Sequence, residues 1–258
     1  MNRGTALITG ASSGIGEAFA RIFAAEGFDL VLTARREGKL HELAADLPTT
    51  TKIVVLPADL STTEGITAFG ELVSGQSLEI DVLVNNAGMM VEEEFANLTT
   101  EQIERTITLN ITAMTQLIHQ FLPAMKARKS GRVLNVASVA AFHPVPGMDI
   151  YAATKAYVLS FSEALAENLR DTGISVTALC PGLTDTDMVD TSVAGAMPTF
   201  MISQPDEVAR SGFDALMNRE VICIPGNANR LAVAWAQHQP RWLVRGLGGL
   251  ANKLTPNK

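Results

Sequence analysis

Thr5-Ala6-Leu7-Ile8-Thr9-Gly10-Ala11-Ser12-Ser13-Gly14-Ile15-Gly16 is an apolar run that breaks into a glycine-rich turn, and Phe19, Ile22 and Phe23 follow at helical spacing. Strand, turn and helix in that order bring free backbone N–H groups and the positive end of a helix dipole to the turn, where a pyrophosphate is favoured. The glycines let backbone and ligand approach each other. Their spacing is G-x-x-x-G-x-G rather than the generic G-x-G-x-x-G, and a tight turn without a ligand can be written with the same residues.

Beyond this unit, short apolar runs recur at Leu30 to Leu32, Ile53 to Leu56, Val82 to Val84, Val133 to Val136, Ile174 to Leu179 and Val221 to Ile224. With the first run they predict seven buried strands. The stretches between them carry helical spacing, as in Ile103, Ile107, Ile111, Met114, Leu117 and Ile118. Ser61-Thr62-Thr63-Glu64 and Thr99-Thr100-Glu101-Gln102 fit capping boxes; Gly27, Gly131 and Gly173 are expected to stop helices, and Pro205 suits a first helical turn. Alternating strands and helices imply an α/β fold. The expectation is a single-domain, Rossmann-like, doubly wound parallel sheet of about seven strands with helices on both faces, binding ligands beyond the strands' carboxyl ends. Residues 1–225 read as a dinucleotide-binding catalytic domain and 226–258 as a basic, amphipathic extension of it.

The 258 residues suffice for one sizeable core, and no repeat or Pro/Ser-rich linker divides them. A net charge of -7 argues against general nucleic-acid binding. The charge is uneven: no Asp or Glu follows Glu220, whereas Arg230, Arg241, Arg245, Lys253 and Lys258 do, so this tail carries +5 and residues 1–220 carry -12. Cys180 and Cys223 lie in apolar runs without metal-ligand spacing and read as buried thiols, with no metal expected. An apolar strand from the fifth residue leaves no room for a signal peptide, and no run approaches 18 apolar residues, so the sequence reads as soluble and cytoplasmic.

Two further patterns carry chemistry. The second strand ends in Thr33-Ala34-Arg35-Arg36, about twenty residues past the glycines, where an acid would bind the ribose hydroxyls of NAD. Arg35 and Arg36 instead suit a 2′-phosphate, which favours NADP(H) over NAD(H), although both also serve as ordinary surface charge. The second pattern is Ser138-x12-Tyr151-Ala152-Ala153-Thr154-Lys155. On a helix, Tyr151 and Lys155 share a face, and the ammonium is expected to favour the phenolate. Moving a tyrosine from about 10 to near 7 requires about 4 kcal/mol. A tyrosine and a lysine four apart also occur by chance, one in a core and one in solvent.

Taken in order, these motifs resemble the classical short-chain dehydrogenase/reductase family over about residues 3–225. The match comprises the Thr9 to Gly16 turn, Asp59-Leu60, Asn85-Asn86-Ala87-Gly88, Asn110, Ser138, Tyr151-x-x-x-Lys155 and Pro181-Gly182. The resemblance implies that Gly10, Ser12, Ser13, Gly14, Ile15 and Gly16 hold the pyrophosphate and that Asp59 and Leu60 flank the adenine. It further implies that Asn86, Ala87 and Gly88 line the cofactor, and that Pro181, Gly182, Thr184 and Thr186 surround the nicotinamide carboxamide. Thr184 stands where the family usually has Val or Ile. In the implied reaction NADPH gives hydride to a carbonyl carbon while Tyr151 protonates the oxygen, with Ser138 orienting it. Lys155 lowers the Tyr151 pKa and holds the ribose, and Asn110 anchors a water leading from Lys155 to solvent. Asp59 as a turn acid, Asn85-Asn86 as strand-end amides and Asn110 as a core amide are the other readings of those residues. A nucleotide-binding regulatory or scaffold protein of the same fold is the alternative function; an enoyl reductase fits less well, because its Tyr and Lys are commonly spaced differently.

Val139 to Ile150 and Leu183 to Gln204 are expected to enclose the substrate. Phe142, Val145, Met148, Met188, Val193, Met197, Phe200 and Met201, with Met89 and Met90, suggest either a roomy apolar pocket or packing. His143 has two readings, a substrate contact or, as is commoner for a lone histidine beside Pro144, a surface or packing residue. In the tail, Leu243, Leu247, Leu250 and Leu254 form a narrow helical stripe flanked by Trp242 and Lys253, with Arg241 and Arg245 opposite. Glycines 246, 248 and 249 weaken that helix alone, so it is expected to dock, on protein in preference to an anionic membrane. The resemblance also implies a homodimer or homotetramer through helices near 100–127 and 150–172.

Overall fold

A computed structural model describes residues 3–76, 78–91, 93–187, 202–240 and 242–246 of the protein. Each apolar run is a strand: β1 (Thr5–Thr9), β2 (Asp29–Thr33), β3 (Ile53–Val55), β4 (Val82–Asn85), β5 (Gly131–Val136), β6 (Ile174–Leu179) and β7 (Ile222–Cys223). They form one sheet in the order β3-β2-β1-β4-β5-β6-β7, with every neighbouring pair parallel. The helices are α1 (Gly14–Ala25), α2 (Glu37–Asp46), α3 (Thr63–Gly75), α4 (Thr100–Ile107), α5 (Met114–Arg128), α6 (Asp149–Asn168), α7 (Pro205–Met217) and α8 (Asn227–Gln237). The chain leaves β1 for β2 on one side and later for β4 on the other. That reversal opens a crevice beyond the carboxyl ends of β1 and β4.

Strand side chains alternate between two cores, as the pleat requires. Ala6, Ile8, Leu30, Leu32, Val82 and Val84 pack with Phe19 and Phe23 of α1 and Phe213 of α7. Leu7, Val31, Leu83 and Val133 face the opposite core with Phe69 of α3, Leu117 and Met125 of α5 and Val158 of α6. Phe23 meets Phe28 and Phe213 edge-on at 5.1 and 4.9 Å. Each such ring contributes roughly 1.5–3 kcal/mol on burial.

Local signals set most helix ends. Thr99 and Gln102 close the predicted capping box on α4, and Pro205 opens α7. Gly27, at φ +85°, follows the end of α1 and turns the chain into β2. Three expectations shift. Thr62, not Ser61, caps α3 by accepting from the Gly65 N–H, while Ser61 bonds Asp59. Gly131 begins β5, and α5 stops at Lys129, which itself takes the left-handed conformation (φ 54°). Gly173 lies four residues beyond the Leu169 cap of α6, in the turn to β6. Between α4 and α5 the helix widens into a π segment, Thr108–Ala113, a form often found beside functional sites.

Candidate active site

Beyond the strand ends lies a cleft of about 740 Å³. Its walls follow the strand order: Arg35 and Arg36 after β2, the glycine turn after β1, Asn86 to Gly88 after β4, Ser138 after β5, and Pro181, Gly182, Thr184 and Thr186 after β6. Tyr151 and Lys155 from the start of α6 complete it, and Asp59 and Leu60 line it too. Gly16 and Asn110 stand behind the lining and shape it from there.

The turn needs its glycines. Gly10 and Gly14 have φ of +68° and +57°, and a Cβ on Gly10 would lie 2.9 Å from the Ala87 Cα. A Cβ on Gly16 would press into the carbonyl oxygen of Gly10. Asn86 clamps the turn through Nδ2, which donates to the carbonyls of Thr9 (2.9 Å) and Gly10 (3.3 Å). Thr9, read from the sequence only as the first residue of the turn, accepts the N–H groups of Asn86 and Ala87 at its hydroxyl (3.0 and 2.9 Å) and so ties β1 to the loop after β4. Ser13 begins α1 without a side-chain cap, leaving the first-turn N–H groups facing outward for an anion. Such a cradle, filled by any added side chain, fits a dinucleotide pyrophosphate.

The Arg36 guanidinium lies over that turn. It donates to the Ser13 hydroxyl at 2.6 Å and the Ser12 hydroxyl at 3.2 Å, and reaches Asp187 at 3.4 Å. Asp59 has both oxygens engaged, one by the N–H and hydroxyl of Ser61 (3.0 and 2.6 Å), the other by Arg105 (2.8 Å). Burial pushes its carboxyl up, and the bonds from Ser61 and Arg105 outweigh this and hold it below the usual value. Asp59 thus combines the turn role with a place in the wall. Leu60 is buried beside it.

At Tyr151 and Lys155, burial governs charge. Lys155 is 5% exposed, and its ammonium donates to the Val136 carbonyl at 2.8 Å. Its nitrogen sits 5.6 Å from the centre of the Tyr151 ring. Burial pushes Lys155 down to about 8. Burial also raises the Tyr151 phenol above 10, and a hydrogen bond with Ser138 offsets only part of that. The expected lowering of Tyr151 is therefore not found, because desolvation favours the neutral form of each partner.

Asn110 accepts the Met89 N–H (2.9 Å) and donates to the Met89 carbonyl (2.9 Å) and the Thr154 hydroxyl (3.0 Å). Its side chain thus fastens the loop after β4 to α6, and Thr154 in turn donates to the Tyr151 carbonyl at 2.8 Å. Sequence reasoning missed Thr154, whose only signal was its place inside the Tyr-Lys motif. It also missed a buried ladder: Asn85 donates to Asn135 (2.9 Å) and Asn135 to Ser162 (2.9 Å), joining β4, β5 and α6. Asn229 of α8 sits under Gly182, where a Cβ would collide with it.

Met89, Met90, Val145, Met148 and Leu183 line the cleft, as does His143. Burial lowers the His143 pKa, and its Nδ1 is buried without a hydrogen-bond partner among the described residues. Phe142 packs against the core beneath instead. Met188, Val193, Met197, Phe200 and Met201 lie outside the described residues. Among the described residues, Thr184 forms a bridge with Ser203, the Asp185 N–H donates to the Ser203 carbonyl at 3.0 Å and the Ser203 N–H to the Leu183 carbonyl at 2.9 Å. Thr184 also donates to the Gly182 carbonyl, and the Thr186 methyl abuts Gly14. Cys180 and Cys223 are buried, and burial raises their thiols to about 12 and about 11.

A family model described as short chain dehydrogenase matches residues 4–196. A short-chain dehydrogenase from Sphingobium yanoikuyae, solved in complex with NADPH, is 36% identical and superposes with a TM-score of 0.82, covering 97% of this chain and 94% of the other. The bulky-bulky ketone specific alcohol dehydrogenase from Comamonas testosteroni is 32% identical with a TM-score of 0.79, covering 92% and 93%. Ketoacyl reductase HetN of Nostoc sp. (strain PCC 7120) is 33% identical over 245 residues, 92% of this chain and 85% of that protein.

Proposed function

The chain belongs to the short-chain dehydrogenase family, and on that premise we propose that it is an NADP(H)-dependent oxidoreductase interconverting an apolar ketone or aldehyde with its alcohol, with Tyr151 as general acid and base. The observation that carries this reading is a single cleft lined by Ser138, Tyr151 and Lys155 together with the glycine turn and Arg35 and Arg36.

Backbone N–H groups from Ser12 to Ile15 would hold the pyrophosphate, and Arg36 with Arg35 the 2′-phosphate. The Arg36 bonds to Asp187 are long and exposed, so a phosphate ester can replace them with shorter, charge-assisted ones. Asp59 and Leu60 would border the adenine, Asn86 to Gly88 the middle of the cofactor, and Pro181, Gly182, Thr184 and Thr186 the carboxamide. A bound nicotinamide supplies or accepts the hydride. Ser138 hydrogen-bonds the carbonyl oxygen. Tyr151, a phenol protonated at neutral pH and raised further by burial, gives that oxygen its proton. Lys155, charged below about pH 8, then stabilises the tyrosinate left behind. Asn110 acts at one remove, positioning Met89 and α6.

Met89, Met90, Val145, Met148 and Leu183 favour an apolar substrate. The NADPH of the Sphingobium complex and the ketones named for the Comamonas enzyme support the same reading. The proposal extends to a cytoplasmic homo-oligomer joined through the α4–α5 and α6 faces, a reading supported by the exposure of Ile107 and Tyr157 there. Light scattering checks the assembly. The decisive assay follows NADPH absorbance across apolar and charged carbonyl compounds, with NADH and Tyr151→Phe as controls. We expect NADPH-dependent reduction of apolar ketones and none by the variant. Undiminished turnover by Tyr151→Phe would remove the mechanism; cofactor binding without turnover of any carbonyl would favour the regulatory alternative.

A further inference from the structure

Both tryptophans of the chain, Trp235 and Trp242, lie in the last helical segments among the described residues. Both face solvent, at 50% and 67% exposure. Helix α8 turns Val233 inward, while Ala228, Leu231, Ala232 and Trp235 are all exposed. At spacings of three, four and seven residues these four form one apolar stripe along the outer face of the helix. Leu231 is 72% exposed. An amphipathic helix ordinarily turns such a stripe toward a partner. The surrounding sequence says which kind: from Val221 to Lys258 there is no acid, and five basic residues give +5 against -12 for the rest of the chain.

We propose that the outer stripe of α8, with Trp242, seats at the headgroup–acyl boundary of a membrane containing anionic lipid, holding the protein on the bilayer surface. Leucine and tryptophan on one side of a helix, in an acid-free and basic segment, are what that boundary accommodates. A second copy is a poorer occupant. A two-fold contact on this stripe would set one +5 segment against another, and a stable interface buries about 800 Å² on each partner, more than one leucine, one tryptophan and two alanines expose. Peripheral attachment requires no spanning helix, and no described helix is long and apolar enough to cross a membrane. The attachment is independent of the reaction in the cleft, though it would bring the active site near carbonyl compounds dissolved in lipid.

Because the segment holds both tryptophans, intrinsic fluorescence of the full-length protein reports on it directly. The free protein should emit like water-exposed indole. Phosphatidylcholine–phosphatidylglycerol vesicles should shift emission to the blue and carry the protein down on sedimentation, with binding at least tenfold weaker in high salt or to phosphatidylcholine alone. Trp242→Phe, which leaves Trp235 as sole reporter, should keep the blue shift. Leu231→Ser/Trp235→Ser, checked for folding by circular dichroism, should lose vesicle binding by the same sedimentation assay. Blue emission in the free protein, equal binding to both vesicle types, unchanged binding by the double variant, or its dissociation from an oligomer to a monomer would each overturn the proposal.

Discussion

Replacing Lys155 with methionine should make the folded protein more stable while removing its activity. Lys155 is 5% exposed, and burial lowers its amine from 10.5 to about 8. At about 1.4 kcal/mol per pKa unit, keeping the charge in that site costs about 3 kcal/mol at pH 7. Methionine removes this cost and fills a similar volume, but leaves the Val136 carbonyl without its 2.8 Å donor, a loss of about 1 kcal/mol. A net gain of about 2 kcal/mol follows. Its pH dependence has a definite sign. Between about 8 and 10.5 the unfolded wild-type chain binds the proton and the folded one does not, so wild-type stability rises with pH across that window. The advantage of Lys155→Met is therefore full below about pH 8 and gone near 10.5. Urea unfolding of both proteins without cofactor, at several pH values from 7 to 10.5, measures the difference directly. A variant less stable at pH 7, or a gap that stays constant with pH, would refute the account of Lys155 as a desolvated ammonium.

Three other outcomes follow from the site. Arg36→Ala, which removes the guanidinium over Ser12 and Ser13, should weaken NADPH binding about 10- to 100-fold while changing NADH by less than about threefold, since a charge-assisted contact is worth roughly 1.5–3 kcal/mol; fluorescence titration of both nucleotides checks it, and equal losses would contradict the 2′-phosphate role. Asn110→Ala removes three bonds, to the Met89 N–H, the Met89 carbonyl and Thr154, and should destabilise the fold by about 2–4 kcal/mol in denaturant unfolding. Finally, carbonyl reduction should hold steady from pH 6 to 7.5 and decline above about 8 as Lys155 loses its proton, whereas alcohol oxidation, which needs the Tyr151 phenolate, should climb with pH; initial rates in both directions test this, and oxidation fastest below pH 7 would contradict it.

What the sequence disclosed was mostly what short range determines. Parallel strands buried on both faces read as unbroken apolar runs, so Ala6 to Ile8 or Ile174 to Leu179 announced themselves. Gly10, Gly14 and Gly16 did so because no other residue fits their turn. Contacts between distant residues were not legible in the same way. Arg36 meets Asp187 across 151 positions and Asn110 meets Thr154 across 44, and nothing local to either marks its partner. Gly131 shows the opposite failure. As a local signal it suits the end of a helix, but strand pairing with Ile174 claimed it for β5, and Lys129 took the left-handed position instead.

The same gap between local and tertiary physics explains the charge states of Tyr151 and Lys155. Four-residue spacing correctly put Tyr151 and Lys155 on one face of α6, and Coulomb attraction alone would then favour phenolate and ammonium together. Spacing carries no information about solvent. Once α6 packs over β5 and both groups leave water, desolvation opposes the charged form of each, and the Val136 carbonyl holds the ammonium that would otherwise turn toward the phenol. A phenol that stays protonated is the correct starting state for giving a proton to a carbonyl oxygen and the wrong one for taking a proton from an alcohol. Ser138, bonded to Tyr151 and able to bond the substrate oxygen, makes the transfer short. The cation becomes useful only after the proton has moved, when a tyrosinate lies beside it. On the proposed mechanism, burial would suit the resting site to reduction, and the Lys155 charge to the step that follows.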